Sequence, residues 1–177
     1  KAFLDAIPGE PETLIAPQMP GRLVLRSLTK TWALAGVRAG YVVGDPALIE
    51  ALAAQQPPWS VSSPAIVAMH AVLTDDARAE AHHLAEEARE NRADLVVRLR
   101  SIGLDPVDGE APFVLVDTSQ TSPSSLREPL ARLGFAVRRG ETFPGLGPTW
   151  LRLAVRTPET HRRLVEALTV LEQTHEE

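Results

Sequence analysis

Ser27-Leu28-Thr29-Lys30-Thr31-Trp32-Ala33-Leu34-Ala35-Gly36-Val37-Arg38-Ala39-Gly40-Tyr41 is the stretch on which the reading of this chain turns. It begins at the end of an alternating apolar run, residues 22–28 (Arg-Leu-Val-Leu-Arg-Ser-Leu), that reads as a strand. Residues 39–44 (Ala-Gly-Tyr-Val-Val-Gly) read as a second short strand. Thr29 to Arg38 is then a loop, with Gly36 as its punctuation. Two hydroxyls (Ser27, Thr29) and one amine (Lys30) sit where the first strand stops, and a guanidinium (Arg38) follows eight residues after the lysine. Strand ends are where ligands gather in open α/β sheets, and this set of groups suits a phosphate together with an aldehyde. The same spacing also fits a surface turn, with Lys30 solvated and Arg38 in a salt bridge.

Composition sharpens the interest in Lys30. The chain has sixteen arginines and only two lysines, Lys1 and Lys30, so a lysine inside a motif does not come from abundance. With 177 residues, 44% of them hydrophobic and 23% charged, the chain is large enough to bury a real core. A formal charge of −5 and a pI near 5.6 give no general pull toward nucleic acid or an anionic membrane. The absence of cysteine excludes disulfides, thiolate catalysis and cysteine metal ligands. No apolar run is long enough to span a bilayer, and the first residues lack the pattern of a signal peptide. The expectation is a cytoplasmic protein. The chain opens without Met and directly in an apolar stretch, which reads as a piece of a longer polypeptide.

Outward from the opening stretch, Asp45-Pro46 starts a helix that runs to about Gln55 and is stopped by Pro57-Pro58. Trp59 to Ser63 connects to another helix, opened by Pro64 and running through Leu73. A long helix follows, roughly Asp75 to Ser101, with an apolar stripe at Leu95, Val96 and Leu99. It exceeds what one small core needs and is expected to bridge two domains. Residues 112–117 read as a strand. Ser122-Pro123 is expected to start a helix that ends near Gly134, residues 135–138 form a short strand, and 140–148 is a Gly- and Pro-rich loop. Trp150 to Val155 alternates as a strand, and Thr157-Pro158-Glu159 starts a last helix to about Gln173. This order predicts an antiparallel sheet with helices on one face. His82 and His83 are adjacent on a helix and point about 100° apart, so no metal site is expected there, and Glu86, Glu87 and Glu90 read as a solvated face.

The fifteen residues from Ser27 to Tyr41 closely resemble the lysine motif of class I/II, fold-type I aminotransferases, which use pyridoxal 5′-phosphate (PLP). They are most similar to the histidinol-phosphate aminotransferase subgroup. The resemblance implies that Lys30 is the catalytic lysine that forms a Schiff base with the cofactor, and that Ser27, Thr29 and Arg38 hold its phosphate. It implies an α/β fold: the remainder of the PLP-transferase large domain, over residues 1–74, then a long linking helix at 75–102 and a small α/β C-terminal domain at 103–177. It also implies substrate roles for Arg152, in Trp150-Leu151-Arg152-Leu153-Ala154, and for Arg138. A guanidinium fork pairs bidentately with carboxylate or phosphate. By pattern alone, Arg152 is equally an outward residue of an alternating strand, and Arg138-Arg139 a solvated surface.

Shorter matches point within the family. Phe143-Pro144-Gly145-Leu146, Arg152-Leu153-Ala154-Val155-Arg156 and Pro58-Trp59-Ser60-Val61 resemble threonine-phosphate decarboxylases of cobalamin biosynthesis, and Arg156 stands where histidinol-phosphate aminotransferases usually have Gly. The reading therefore leans to a threonine-phosphate decarboxylase-like enzyme acting on a small phosphorylated amino acid or amine. Histidinol-phosphate transamination is the alternative, and a non-catalytic remnant serving as an interaction module is a second. Ala2-Phe3 resembles the end of the family segment that carries the acid partner of the pyridine nitrogen, so that acid is expected to lie upstream. The chain by itself is accordingly expected to hold PLP weakly or not at all and to be inactive, and the full-length parent to be a homodimer.

Overall fold

The computed structural model describes residues 3–175. Lys1 and Ala2, the latter part of the upstream segment read above, lie outside them. The chain divides into two compact units, residues 1–86 and 87–177, and the division falls within one helix.

The first unit is built on a hairpin. Strands β1 (Leu23–Ser27) and β2 (Gly40–Gly44) pair antiparallel, with Ser27 opposite Gly40 and Arg26 opposite Tyr41. Gly40 is required by this pairing: a Cβ there would come within 2.7 Å of the Arg26 carbonyl oxygen. The loop between the strands makes one 3-10 turn at Ala35–Val37 and then passes through Arg38 in the left-handed region, φ 58° and ψ 44°. Helix α1 (Pro46–Gln55) starts as its sequence demands, with the Asp45 carboxylate accepting from the Ala47 N–H and Pro46 in the first turn. Helix α2 (Ser63–Ala71) begins one residue earlier than expected, because the Ser62 hydroxyl caps it by accepting from the Ala65 N–H, and it ends two residues earlier, with Val72 as its C-cap. Leu28, Ala39 and Ala65 form the small buried cluster, with Trp32, Val37 and Met69 packed against it.

Helix α3 (Asp75–Arg100) runs through the division, and its Leu95 and Leu99 are fully buried. In the second unit β3 (Phe113–Asp117), β5 (Trp150–Ala154) and β4 (Arg138–Arg139) form an antiparallel sheet in the order β3-β5-β4. Alternation puts Val114, Val116, Leu151 and Leu153 on one face. There they pack with Leu95 and Leu99 of α3, Leu130 of α4 (Arg127–Arg132), and Leu164 and Leu168 of α5 (Pro158–His175). Arg152 therefore lies on the opposite face of the sheet.

Two expectations fail here. The segment after Ser122 is not helical until Arg127, because the Ser122 hydroxyl accepts from the Ser124 N–H and so holds a local turn in place of a helical one. The strand expected at 135–138 is Arg138–Arg139 instead. It forms where the backbone can pair with β5, at Arg152 and Leu151, after the chain leaves α4 through Gly134 at φ +89°.

Candidate functional site

Ser27, Thr29 and Arg38 come together at one cavity of about 600 Å³, on the β1–β2 hairpin, with Arg26, Gly40 and Tyr41 among its other lining residues. The end of β1 turns there because the Leu28 N–H donates to the Ala39 carbonyl, 3.2 Å. That bond places Ser27 and Thr29 on the same side of the chain. Their hydroxyls lie 2.8 Å apart and bond each other. One O–H in such a pair is left to donate outward, and both oxygens keep acceptor capacity. Arg38 is exposed, and among the described residues its guanidinium donates to the Ala35 carbonyl, 3.3 Å. A non-glycine residue in the left-handed region is uncommon, and such strain collects at ligand sites.

Lys30 follows directly in the chain but does not line this cavity. Its amine is exposed and stands 5.9 Å from the centre of the Phe3 ring. The next residue, Thr31, donates to the Asp5 carboxylate at 2.6 Å. A cofactor phosphate fits the two hydroxyls and the guanidinium. No carboxylate lines the cavity, so a pyridine nitrogen finds no acid partner among the described residues there. Nor do those residues include a cluster of His, Asp or Glu able to hold a metal ion.

Arg138 and Arg152 belong to the second unit, where they are direct partners across the β4–β5 pair. Like charges opposed in this way are ordinarily destabilising. Among the described residues neither forms an ion pair, whereas the neighbouring Arg139 pairs with Glu141 at 3.7 Å. Burial holds the Arg152 guanidinium below its usual pKa, and the Arg138 charge adds to that. Two guanidinia that pair with no carboxylate among the described residues, on the sheet face opposite the core, can receive an anion.

Sequence reading passed over Arg26, Tyr41 and Gln56, which also line the hairpin cavity. Arg26 and Tyr41 had a signal: they lie opposite each other in two alternating strands separated by a short loop. It gave Phe113 no role, and it noted Phe143 only within the Phe143-Pro144-Gly145-Leu146 match; the rings of both lie against Arg152. Phe113 opens β3, and only the sheet register brings it near Arg152.

The aminotransferase class I and II family profile matches residues 5–168. A histidinol-phosphate aminotransferase of Mycobacterium tuberculosis is 44% identical over 156 residues, covering 88% of this chain and 42% of the relative. A threonine-phosphate decarboxylase of Salmonella typhimurium is 35% identical over 173 residues, covering 95% and 46%. The chain thus spans less than half the length of these curated relatives. The crystal structure of the histidinol-phosphate aminotransferase from Clostridium acetobutylicum superposes with a TM-score of 0.81 at 23% identity, over 98% of this chain and 53% of that one. At that identity it speaks for the fold alone.

Proposed function

Because this chain belongs to the class I and II aminotransferase family, a family of PLP-dependent enzymes, we propose that it is the part of such an enzyme that carries the cofactor lysine and the substrate arginines. Its substrate is a small phosphorylated amino acid or amine. The observation that carries this reading is the opposition of Arg138 and Arg152 on β4 and β5, neither of which forms an ion pair among the described residues. A dianionic phosphate relieves the repulsion of two guanidinia and meets each with paired N–H donors.

In this reading the hydroxyls of Ser27 and Thr29 and the guanidinium of Arg38 bind and orient the cofactor phosphate. The bound cofactor supplies an aldehyde for a lysine amine and a ring that accepts electrons released at the substrate Cα. Lys30 contributes the amine, and its Nζ carries the proton to or from that Cα. Arg152, with Arg138 beside it, holds the substrate anion and so fixes which bond at Cα is presented for cleavage. Residues 1–74, 75–102 and 103–177 then serve as the cofactor-lysine part, the linking helix and the substrate-arginine part.

The 44% identity to the mycobacterial histidinol-phosphate aminotransferase, against 35% to the Salmonella decarboxylase, favours transamination as the reaction. Threonine-phosphate decarboxylation is the second reading. It is favoured by the Phe143-Pro144-Gly145-Leu146 loop, by Arg156 and by the 35% identity to a decarboxylase over almost the whole chain.

Scarcity of lysine makes the test clean. PLP is added, the protein is reduced with borohydride, and the modified peptide is located by mass spectrometry. The adduct is expected at Lys30 in preference to Lys1 and is lost in Lys30→Arg. Equal labelling of both lysines at every PLP concentration, unaffected by Arg38→Ala, would overturn the cofactor assignment. Product analysis of the full-length parent divides the branches: histidinol phosphate consumed only with a keto acid marks transamination, and CO₂ from threonine phosphate without one marks decarboxylation.

A further inference from the structure

We infer that Phe113 and Phe143 are positioning residues, whose ring faces hold the Arg152 and Arg138 guanidinia ready for an anion in the place a carboxylate would ordinarily take. The inference rests on the reading of that arginine pair as the substrate-anion site.

The Arg152 guanidinium carbon lies 4.8 Å from the centre of the Phe113 ring and 5.8 Å from that of Phe143. The Arg138 guanidinium carbon lies 5.2 Å from the same Phe143 ring. All three separations fall within the roughly 6 Å at which a ring quadrupole attracts a cation. Phe143 thus touches both members of a like-charged pair.

Other arginines of this unit are neutralised differently. Arg98 bonds Asp94 at 2.9 Å, Arg100 reaches Asp105 at 3.2 Å, and Arg162 bonds Glu166 at 2.7 Å. A carboxylate partner of that kind occupies N–H donors, often two at once. A ring face attracts the charge and occupies none, so the five N–H donors of each guanidinium stay available. For a residue that must capture a second anion, the ring is the partner that does not compete.

The sheet and its loop fix both rings. Phe113 faces Ala154 in the β3–β5 register, which makes Arg152 its diagonal neighbour on the same face, within reach of a long side chain. Phe143 closes the 3-10 turn Gly140–Thr142, and its N–H donates to the Gly140 carbonyl at 2.8 Å. That turn lies so close to β5 that a Cβ on Gly140 would collide with Trp150. Phe143 is therefore held by backbone and does not merely drift over the arginines.

The test titrates the chain with inorganic phosphate at fixed ionic strength. Binding is followed on the Nε–H NMR signals of Arg138 and Arg152, assigned from Arg→Lys variants. Phe143 is replaced by its mono-, di- and trifluorinated analogues, which keep its shape and drain charge from its face. Phosphate affinity is expected to fall stepwise along that series, by roughly two- to tenfold in all. Phe143→Leu should weaken it at least as much, and Phe143→Tyr should retain it. A ring that only fills space would lower the melting temperature in the Leu variant and leave the fluorine series flat. If affinity is indifferent to fluorination while Arg152→Gln abolishes binding, the rings do not position the pair and the anion-site reading survives. If phosphate does not bind, or binds Arg152→Gln as well as the parent, the anion-site reading itself falls.

Discussion

Arg26 carries its charge on a side chain only 8% exposed, and Glu10 accepts from both of its terminal nitrogens at 2.5 Å. Glu10 takes the left-handed region to do so, φ 45°, a conformation that costs a side-chain-bearing residue about 1–2 kcal/mol. The Arg26 hydrogen bond holds the Glu10 carboxyl below its ordinary pKa, against burial. Because that folded pKa is depressed, the pair's stabilisation is complete above the unfolded carboxyl pKa, about 4.3, and is lost as pH falls through the folded value. Glu10→Gln should therefore cost roughly 1–3 kcal/mol at neutral pH, since it leaves Arg26 poorly paired. The cost should shrink in acid, where the parent has lost the pair as well. Urea midpoints measured from pH 6 down to pH 2 check this, and a penalty independent of pH would sink it. His161 is the corresponding residue of the second unit, 1% exposed. Its Nε2 accepts from the Arg156 N–H at 2.8 Å, which places its hydrogen on Nδ1, 2.8 Å from Asp94. His161→Leu removes the partner of the Arg156 N–H and of the Asp94 carboxylate and is expected to cost about 1–3 kcal/mol in thermal or urea unfolding. Neither pair was legible in the sequence. Glu10 and Arg26 are sixteen residues apart and Asp94 and His161 sixty-seven, and nothing in local periodicity links them.

Elements were legible where local chemistry decides alone. Asp45-Pro46 announces α1, and the structure starts α1 at Pro46. Leu95, Val96 and Leu99 announce the buried stripe of α3, whose leucines are fully buried. Ser122-Pro123 carries the same kind of start signal and misleads, because a serine hydroxyl that can cap a helix can equally hold a turn. The choice is made by the Thr118 carbonyl, which accepts from the Ser122 N–H at 2.9 Å and so fixes that serine's backbone before any helix begins. The candidate site divides the same way. Ser27, Thr29 and Arg38 were legible because they lie on one short hairpin. Phe113 and Phe143 were not, because strand register and a 3-10 turn bring them to Arg152. Helix α2 offers a prediction at this scale. It has nine residues and buries only Ala65, so little packing supports it and its N-terminus matters. Ser62→Ala removes the hydroxyl that accepts from Ala65, which should cost about 1 kcal/mol. It should speed exchange of the Ala65 amide roughly fivefold. Unchanged exchange at Ala65 would show that the cap contributes nothing.

The two units differ in what holds each of them together. In residues 87–177 a cluster of twelve buried residues joins α3, α4 and α5 to the inner face of the sheet. In residues 1–86 the main buried cluster is Leu28, Ala39 and Ala65, two of them alanines. Several large apolar side chains there stay outside it: Trp59 is 97% exposed, Val67 68% and Leu25 66%. At roughly 25 cal/mol for each Å² of apolar surface removed from water, one leucine and two alanines stabilise far less than a twelve-residue core does. Local stability should therefore be unequal. Hydrogen exchange checks it directly: amides of Val116, Leu151 and Leu153 should exchange far more slowly than those of Val24, Arg26 and Val43, although both sets belong to hydrogen-bonded pairs of their ladders. Leu95→Ala tests the origin of the difference. It opens a cavity in the larger core and should cost about 2–5 kcal/mol. Exchange in β3 and β5 should accelerate accordingly, while the β1–β2 amides, already opening through a cheaper local route, keep their rates. Equal protection of both sheets in the parent chain, or equal acceleration of both in Leu95→Ala, would mean that the chain unfolds as one cooperative body and that the small cluster is not the weak point.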